Sequence, residues 1–200
     1  IASIVEDNIS ISIEDWNRRE NSFDFKLNDL LNHRAYDIEE SFDNFCHYWK
    51  IKINRLHNNE KELNQQFINL YGLENKLKPD VSLNEVTLLQ EELSIVDDGI
   101  NISADDVFIQ FVSYSVGVMF GRFSLDKVGF ILANQGANLQ DYLSQIGKSE
   151  SELSFLPYDD NIIPVLNDEW FEDDIVGRFH TFLKASFGEK NFRKNLDFVE

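Results

Sequence analysis

Acidic side chains between residues 159 and 174 form the densest group in this sequence that could do chemistry. The stretch contains seven carboxylates and no Lys or Arg. Hard cations such as Ca²⁺ take oxygen ligands of this kind. The spacing matches no calcium loop, however, and acidic residues in the first turns of a helix are stabilised by the helix dipole. We therefore interpret the stretch as a solvated face, made of Asp159, Asp160, Asp168, Glu169, Glu172, Asp173 and Asp174.

The histidines and the single cysteine give no pattern typical of a metal or catalytic site. His33, His47, His57 and His180 share no metal-ligand spacing. Cys46 is adjacent to His47, so on a helix their side chains would diverge by about 100°. The sequence also has no glycine-rich phosphate loop and no G-x-S-x-G elbow. We predict no catalytic, cofactor-binding or metal-binding residue in this chain.

Arg18 and Arg19 are adjacent cationic residues that could contact a phosphate. They lie in a strongly acidic chain, because 36 Asp and Glu face 18 Lys and Arg, for a net charge of −18. Protein affinity for nucleic acids depends largely on neutralised phosphates. Such a surface should repel DNA, so we expect DNA to be bound by other domains of a larger protein.

The composition indicates a folded protein of a reducing compartment. Hydrophobic residues make up 42% of the chain and include 17 Phe. One cysteine excludes an internal disulfide, so we expect a cytoplasmic location. The longest apolar window, residues 107–120, is too short to span a bilayer, so no membrane partner is expected. The chain starts without Met, and we interpret it as a piece of a longer protein.

Residues 38–72 have the strongest helical pattern, and the rest of the chain is organised around them. Their apolar residues recur every three or four positions, which places one stripe along a helix, although Glu60 occupies one expected stripe position. Gly72 can adopt a left-handed conformation and end the helix. At about 1.5 Å per residue the helix would be roughly 50 Å long. The stripe consists of Ile38, Phe42, Phe45, Trp49, Ile53, Leu56, Leu63, Phe67 and Leu70.

The first 36 residues are predicted to form a β and irregular connector from a preceding domain. Residues 1–13 are rich in Ile and partly alternate, which favours a strand. Residues 14–36 carry Trp16, Phe23 and Phe25, which are expected to pack against a neighbouring element. Residues 37–200 would then be a helical connector or spacer domain. The predicted fold class is mainly α, a long helix plus a helical bundle, with a short β segment at the N-terminus.

Local signals predict further helices. Ser82 and Glu85 have capping-box spacing, which predicts a short helix to about Leu93, followed by a linker over 94–102. Ser103 and Asp106 begin another helix in the same way. Its predicted buried face is Val107, Phe108, Phe111, Val112, Ser115, Val118 and Met119.

Glycine positions and the C-terminal pattern complete the prediction. Gly117 and Gly121 are four residues apart, which predicts a close helix–helix contact.

Residues 126–166 are expected to be irregular, with a short helix near 139–146. A helix is predicted over about 168–187, ended by Gly188, and a shorter one follows through Phe192, Leu196 and Val199.

Several stretches, in the same order, resemble the PglX family of adenine-specific DNA methyltransferases of BREX phage-defence systems and their restriction-modification relatives. The runs at 63–73 and 116–126 are specific in combination. The similarity covers most of residues 14–200 and lies in Glu14–Trp16, Ser22–Phe25, Glu62–Leu73, Phe111–Asp126, Asp160–Pro164, Phe171–Val176 and Phe182–Gly188.

The resemblance implies a parent enzyme that transfers a methyl group from S-adenosylmethionine to the N6 atom of adenine in DNA. The family's catalytic Asn-Pro-Pro-Tyr/Phe signature and its glycine-rich cofactor motif are both absent from this sequence. We therefore expect a non-catalytic segment C-terminal to the catalytic domain, linking the methyl-transfer domain to the target-recognition region. It would carry no cofactor of its own.

Two alternatives to a connector remain open. The chain could be an acidic protein-interaction module that docks other defence-system components. It could also be an independent helical regulator that imitates the charge of DNA, a reading that the truncated start disfavours.

The isolated chain is expected to bind neither S-adenosylmethionine nor duplex DNA at moderate salt. It lacks the cofactor loop, and its net charge of −18 opposes contact with phosphates. Isothermal titration calorimetry with each ligand checks this. Micromolar binding of S-adenosylmethionine would contradict the assignment of these residues as non-catalytic.

Overall fold

The computed structural model describes residues 1–97, 99–160, 162–165 and 174–199. Within these ranges the chain is mainly helical, and its only sheet is a two-stranded antiparallel hairpin. The α-helices are α1 (Ala2–Asn17), α2 (Asp29–Asn32), α3 (Ile38–Tyr71), α4 (Ala104–Met119), α5 (Leu139–Ile146), α6 (Ile175–Phe187) and α7 (Phe192–Val199).

The predicted N-terminal β segment is wrong, because residues 2–17 form helix α1. The alternation of apolar residues extends only over Ile9, Ile11 and Ile13. The buried position Ile11 faces the core, while Asp7 and Glu14, seven residues apart, reach α3. The β-branched residues of this segment favour a strand only weakly, and the packing of α1 against α3 overrides that preference.

Helix α3 is a single helix that runs without a break from Ile38 to Tyr71, one residue short of the predicted end. The Asp37 side chain caps its start by accepting a hydrogen bond from the Glu40 amide, at 3.0 Å. Gly72 ends it in the left-handed conformation, with φ of 63°. Both ends are therefore determined by local signals, as predicted.

The predicted apolar stripe of α3 is buried only along its first part. Phe45, Trp49 and Leu56 lie in the core, but Phe67 and Leu70 are exposed. Ile68, which the stripe did not include, is buried instead. The periodicity defines a face of the helix, but the rest of the fold covers that face only as far as about Leu56.

After Gly72 the chain turns and runs back along α3. His57 Nε2 hydrogen-bonds to the carbonyl oxygen of Val81 at 2.8 Å. The predicted helix from Ser82 to Leu93 is wrong. Ser82 accepts from the Asn84 amide, and only a 3₁₀ turn over Leu83–Glu85 forms.

A β-hairpin occupies the segment predicted to be a linker. Strands β1 (Leu93–Val96) and β2 (Gly99–Ile102) pair in antiparallel register, with Leu93 opposite Ile102. This hairpin is the β structure of the described chain, so the strands lie near the middle of the sequence and not at its start.

The aromatic connector over 14–36 packs only in part. Phe25 is buried, whereas Trp16 is 59% exposed and Phe23 is 100% exposed. Phe25 contacts the rings of Tyr114 and Phe123 edge to face, with centroids 6.0 and 5.1 Å away. The prediction that all three aromatics pack is therefore correct for Phe25 alone.

The core is an aromatic cluster between α3, α4 and α6. The Phe111 ring lies 5.3 Å from that of Phe182, and Tyr114 stacks on Phe123 at 5.1 Å. The Ser103 side chain accepts from the Asp106 amide and caps α4, as predicted. Most of the predicted α4 face is buried, although Val112 is exposed and the buried Tyr114 was not predicted.

The C-terminal part returns to the beginning of α3. The Ile38 amide donates to Asn195 Oδ1 at 3.0 Å, and Lys194 lies 2.7 Å from Asp37. The predicted helices at 139–146 and 192–199 are present. Helix α6 begins at Ile175 and ends before Gly188. The predicted start at 168 lies outside the described residues.

The predicted helix–helix contact is wrong for Gly117, while Gly121, just after α4, is approached by a side chain of α5. A Cβ on Gly117 would lie 2.6 Å from the ring of Phe123, which belongs to the turn after α4. Gly121 lies beyond the helix with φ of 71°, and its Cβ would meet Leu132 at 3.1 Å. Gly117 thus makes room for Phe123 of the following turn, whereas Gly121 also makes room for Tyr142 of α5, which its Cβ would meet at 3.3 Å.

Replacing Gly117 with Leu should lower the free energy of unfolding by about 1–3 kcal/mol, because the added side chain would displace the buried Phe123 ring. Chemical denaturation checks this. Val112→Leu, at an exposed position of the same helix, is the control and should change stability little. Equal stability of the two variants would show that the Phe123 ring moves aside freely.

Candidate functional site

A buried ionic cluster joins the end of α1 to two distant parts of the chain. Arg18 follows α1 directly, and its Nε lies 3.0 Å from Asp15. One of its terminal nitrogens lies 2.6 Å from Glu92, and the other donates to Gln110 at 3.2 Å. The guanidinium carbon lies 5.6 Å from the centre of the Trp49 ring. The cluster therefore links α1, the segment before β1, α4 and α3.

The cluster argues against the suggested phosphate contact of the two arginines. Arg18 is 7% exposed and Glu92 is 1% exposed, so this pair is shielded from solvent. Arg19 lies 2.8 Å from Glu91 and 3.5 Å from Glu92. Both guanidinium groups are therefore paired with carboxylates, Arg18 in the interior and Arg19 nearer the surface.

Charge pairing also decides the protonation of Arg18. Burial alone would lower the pKa of its guanidinium, but attraction to Glu92 and Asp15 outweighs this and raises that pKa above its ordinary value. The group is therefore a permanent cation, and it suits a structural ion pair rather than proton transfer.

A concave polar pocket of about 520 Å³ lies beside this cluster. Tyr48 donates a hydrogen bond to Glu14, which also accepts from Lys52 at 2.7 Å. Trp49 Nε1 donates to Asp29 at 2.8 Å. The wall of the pocket therefore contains two sets of paired polar side chains, Tyr48 and Lys52 on Glu14, and Trp49 on Asp29.

The cysteine and histidines do not assemble into a site. Burial raises the pKa of the Cys46 thiol to about 11, so the thiol is protonated at neutral pH and a poor nucleophile. The ring of His33 lies 4.7 Å from that of Tyr48, and His57 holds the returning chain. Among the residues with assigned positions, no group of three or more His, Cys, Asp or Glu could hold a metal ion.

The acidic stretch is described only in part. Asp174 is buried and caps α6 by accepting from the Gly177 amide at 2.7 Å. Asp159 and Asp160 are exposed. Asp168, Glu169, Glu172 and Asp173 lie outside the described residues, so the solvated-face interpretation stays a prediction for them.

The described helices include none that is both long enough and apolar enough to cross a membrane.

The Arg18 cluster is the feature that sequence reasoning missed. Its members Asp15, Glu92 and Gln110 are spread over almost a hundred residues, and no local spacing connects them. In the sequence Arg18 is only one of two adjacent arginines that could contact a phosphate, because only the tertiary fold brings Glu92 to it.

Two known proteins are similar to this chain along its length. Adenine-specific methyltransferase PglX of Lacticaseibacillus casei (strain Zhang) is 33% identical over 206 residues, covering 100% of this chain and 15% of that protein. Adenine-specific methyltransferase BrxX of Escherichia coli O9:H4 (strain HS) is 29% identical over 195 residues, covering 96% of this chain and 16% of that protein. No protein-family model matches the chain. These matches confirm the resemblance seen in the sequence, and the chain spans only 15–16% of the length of these relatives.

Arg18→Ala should lower the free energy of unfolding by about 3–5 kcal/mol, because it leaves the buried Glu92 carboxylate without its counterion. Urea denaturation checks this. Arg55→Ala is the matched control, since Arg55 pairs with Asp7 but its side chain is 60% exposed, and it should cost under about 1 kcal/mol. A double variant, Arg18→Met with Glu92→Leu, should recover most of the loss. Equal losses in the two single variants would show that the Arg18 pair is not effectively buried.

Proposed function

We propose that this chain is a non-catalytic connector within a DNA N6-adenine methyltransferase of a phage-defence system. It would hold the methyl-transfer domain and the target-recognition region at a fixed spacing. The observation that carries this proposal is the similarity of the entire chain to part of two adenine-specific methyltransferases.

The positions of α1 and α7 along α3 support a spacing role. Helix α1 runs antiparallel to α3, so Asp7 contacts Arg55 and Asn59 in the second half of α3. At the other end, Asn195 of α7 binds the Ile38 amide at the start of α3. Near the start of α1, Val5 lines the same groove as Leu63 of α3. Positions 38 and 63 are about 25 residues apart, or roughly 38 Å along the helix.

The contacts between α1 and α3 make this spacing rigid. Lys52 of α3 lies 2.7 Å from Glu14, and Asp7 lies 2.6 Å from Arg55. Between these two ion pairs, Ile11 is buried in the core. The two ion pairs and the buried Ile11 can all form in only one alignment of α1 along α3. A displacement of reacting groups by about 1 Å can cost a hundredfold in rate, so a rigid spacer has catalytic value.

The charge of the chain suits a part that stays off the DNA. Its net charge of −18 opposes binding to phosphates, and its Arg18 and Arg19 are paired internally. In the full-length protein, S-adenosylmethionine and the target adenine would be bound by other domains. The chain itself would fix the distance and orientation between those domains.

A docking role is the second candidate, and one observation favours it. The end of α3 and the returning chain expose Phe67, Leu70, Tyr71 and Leu77 to solvent. The rings of Phe67 and Tyr71 stack with centroids 6.4 Å apart. Exposed apolar clusters of this kind mark protein contacts. This tip, in an acidic chain, could receive another component of the defence system.

Inserting two alanines between Ile9 and Ser10 of the full-length protein tests the connector. The residues before the insertion would turn by about 200° and shift by roughly 3 Å relative to α3. Adenine methylation should fall by about a hundredfold, while affinity for S-adenosylmethionine is unchanged. Methylation is measured with radiolabelled cofactor, and cofactor affinity by calorimetry.

The matched control is the same insertion between Glu74 and Asn75, in the exposed returning segment, which moves neither chain end. It should methylate normally. If the variant with the insertion after Ile9 also methylates DNA normally, the segment is a flexible tether and the connector proposal fails. If only the insertion at Glu74 abolishes activity, the docking role takes its place.

A further inference from the structure

Helix α1 exposes an apolar face to solvent on the side away from Ile11. Val5, Ile9, Ile13 and Trp16 are spaced by four, four and three residues, so they form one stripe about 16 Å long. All four side chains are exposed, and Ile9 is 53% exposed. A stripe of this length and spacing is the surface that a second helix covers.

The second half of α3 forms the other wall of a groove along this stripe. The groove has a volume of about 410 Å³ and includes Leu56 and Leu63 of α3, with Thr87 at its edge. Leu56 is buried and Leu63 is half-buried. The walls are therefore mainly apolar along two adjacent helices.

Glu60 is the one carboxylate among the described residues that line this groove. It occupies the position where the apolar stripe of α3 is interrupted, between Leu56 and Leu63. Its side chain is half-buried, and it makes no hydrogen bond or ion pair with any residue described in the structure. Burial raises the pKa of Glu60, His57 nearby acts in the opposite direction, and the negative charge of Glu85 adds to the increase. Its environment therefore disfavours the negative charge, and a cation placed there would be stabilised.

We propose that the groove receives an amphipathic helix from another part of the full-length protein, with a Lys or Arg placed against Glu60. This inference rests on the proposed function, which supplies the remainder of the polypeptide. Apolar contacts to the α1 stripe would give affinity, and the single basic residue would set the register, as in other helix-in-groove complexes.

The length of the relatives favours an occupant from the same protein. The relatives are several times longer than this chain, which covers 15–16% of them, so much sequence is available to cover the groove. A segment on the same polypeptide also binds at a high effective concentration, so one groove of modest area suffices. The acidic charge of the chain adds attraction for a basic helix.

Cysteine labelling of the full-length protein tests the proposal. Ile9→Cys reports on the groove, and Val128→Cys is the matched control, since Ile9 and Val128 are 53% and 59% exposed in this chain. Maleimide modification of each position is read by mass spectrometry of its own peptide. Labelling at position 9 should be about tenfold slower than at position 128. Glu60→Lys should restore fast labelling at position 9 without changing position 128, and Glu60→Gln should restore it in part.

Each other outcome overturns the proposal. Equal labelling at positions 9 and 128 would show an empty groove. Protection that survives Glu60→Lys would show an occupant without the basic residue, and protection lost on dilution would assign the groove to a second copy of the chain. A thermal melt of each Glu60 variant excludes unfolding as the cause of faster labelling. The insertion variants test methylation separately, so loss of this inference leaves the connector proposal standing.

Discussion

The ion pair between Arg18 and Glu92 is the contact on which the arrangement of this chain depends. Removing two charges from water costs several kcal/mol per ion, roughly, so such a pair is a poor source of net stability. The ion pair instead contributes specificity, because it can form in only one arrangement of the surrounding segments. A guanidinium with carboxylates at Asp15 and Glu92 and an amide at Gln110 can be satisfied only when α1 ends where it does.

That constraint explains why α1 lies along α3. With Arg18 held over the Trp49 ring, the antiparallel direction of α1 brings Glu14 to Lys52 and Asp7 to Arg55. Surface ion pairs of this type contribute little each, so they select a register instead of driving association. The buried ionic cluster and the aromatic core thus determine the position of α1, and the outer pairs keep its far end in place.

The spacing of the chain ends follows from helix α3. A helix of 34 residues holds a distance that a loop of the same length would not, because each residue adds a fixed rise. Since the chain returns along α3 after Gly72, residues downstream do not continue from its tip. The end of α3 is left as a projection with exposed Phe67 and Tyr71. Connector and docking roles therefore involve different parts of one helix.

The sequence by itself determined the elements whose signals are local. Helix α3, with its Asp37 cap and its Gly72 stop, helix α5 and the start of α4 at Ser103 all follow from capping and periodicity within a few residues. The resemblance to adenine-specific methyltransferases was also visible there. Tertiary structure alone decided that residues 2–17 are helical, because their β-branched residues are ambiguous until Ile11 finds a core. It alone placed Phe123 against Gly117 and Glu92 against Arg18. In each case the deciding partner contributes no local pattern, and burial becomes favourable only once the chain has folded.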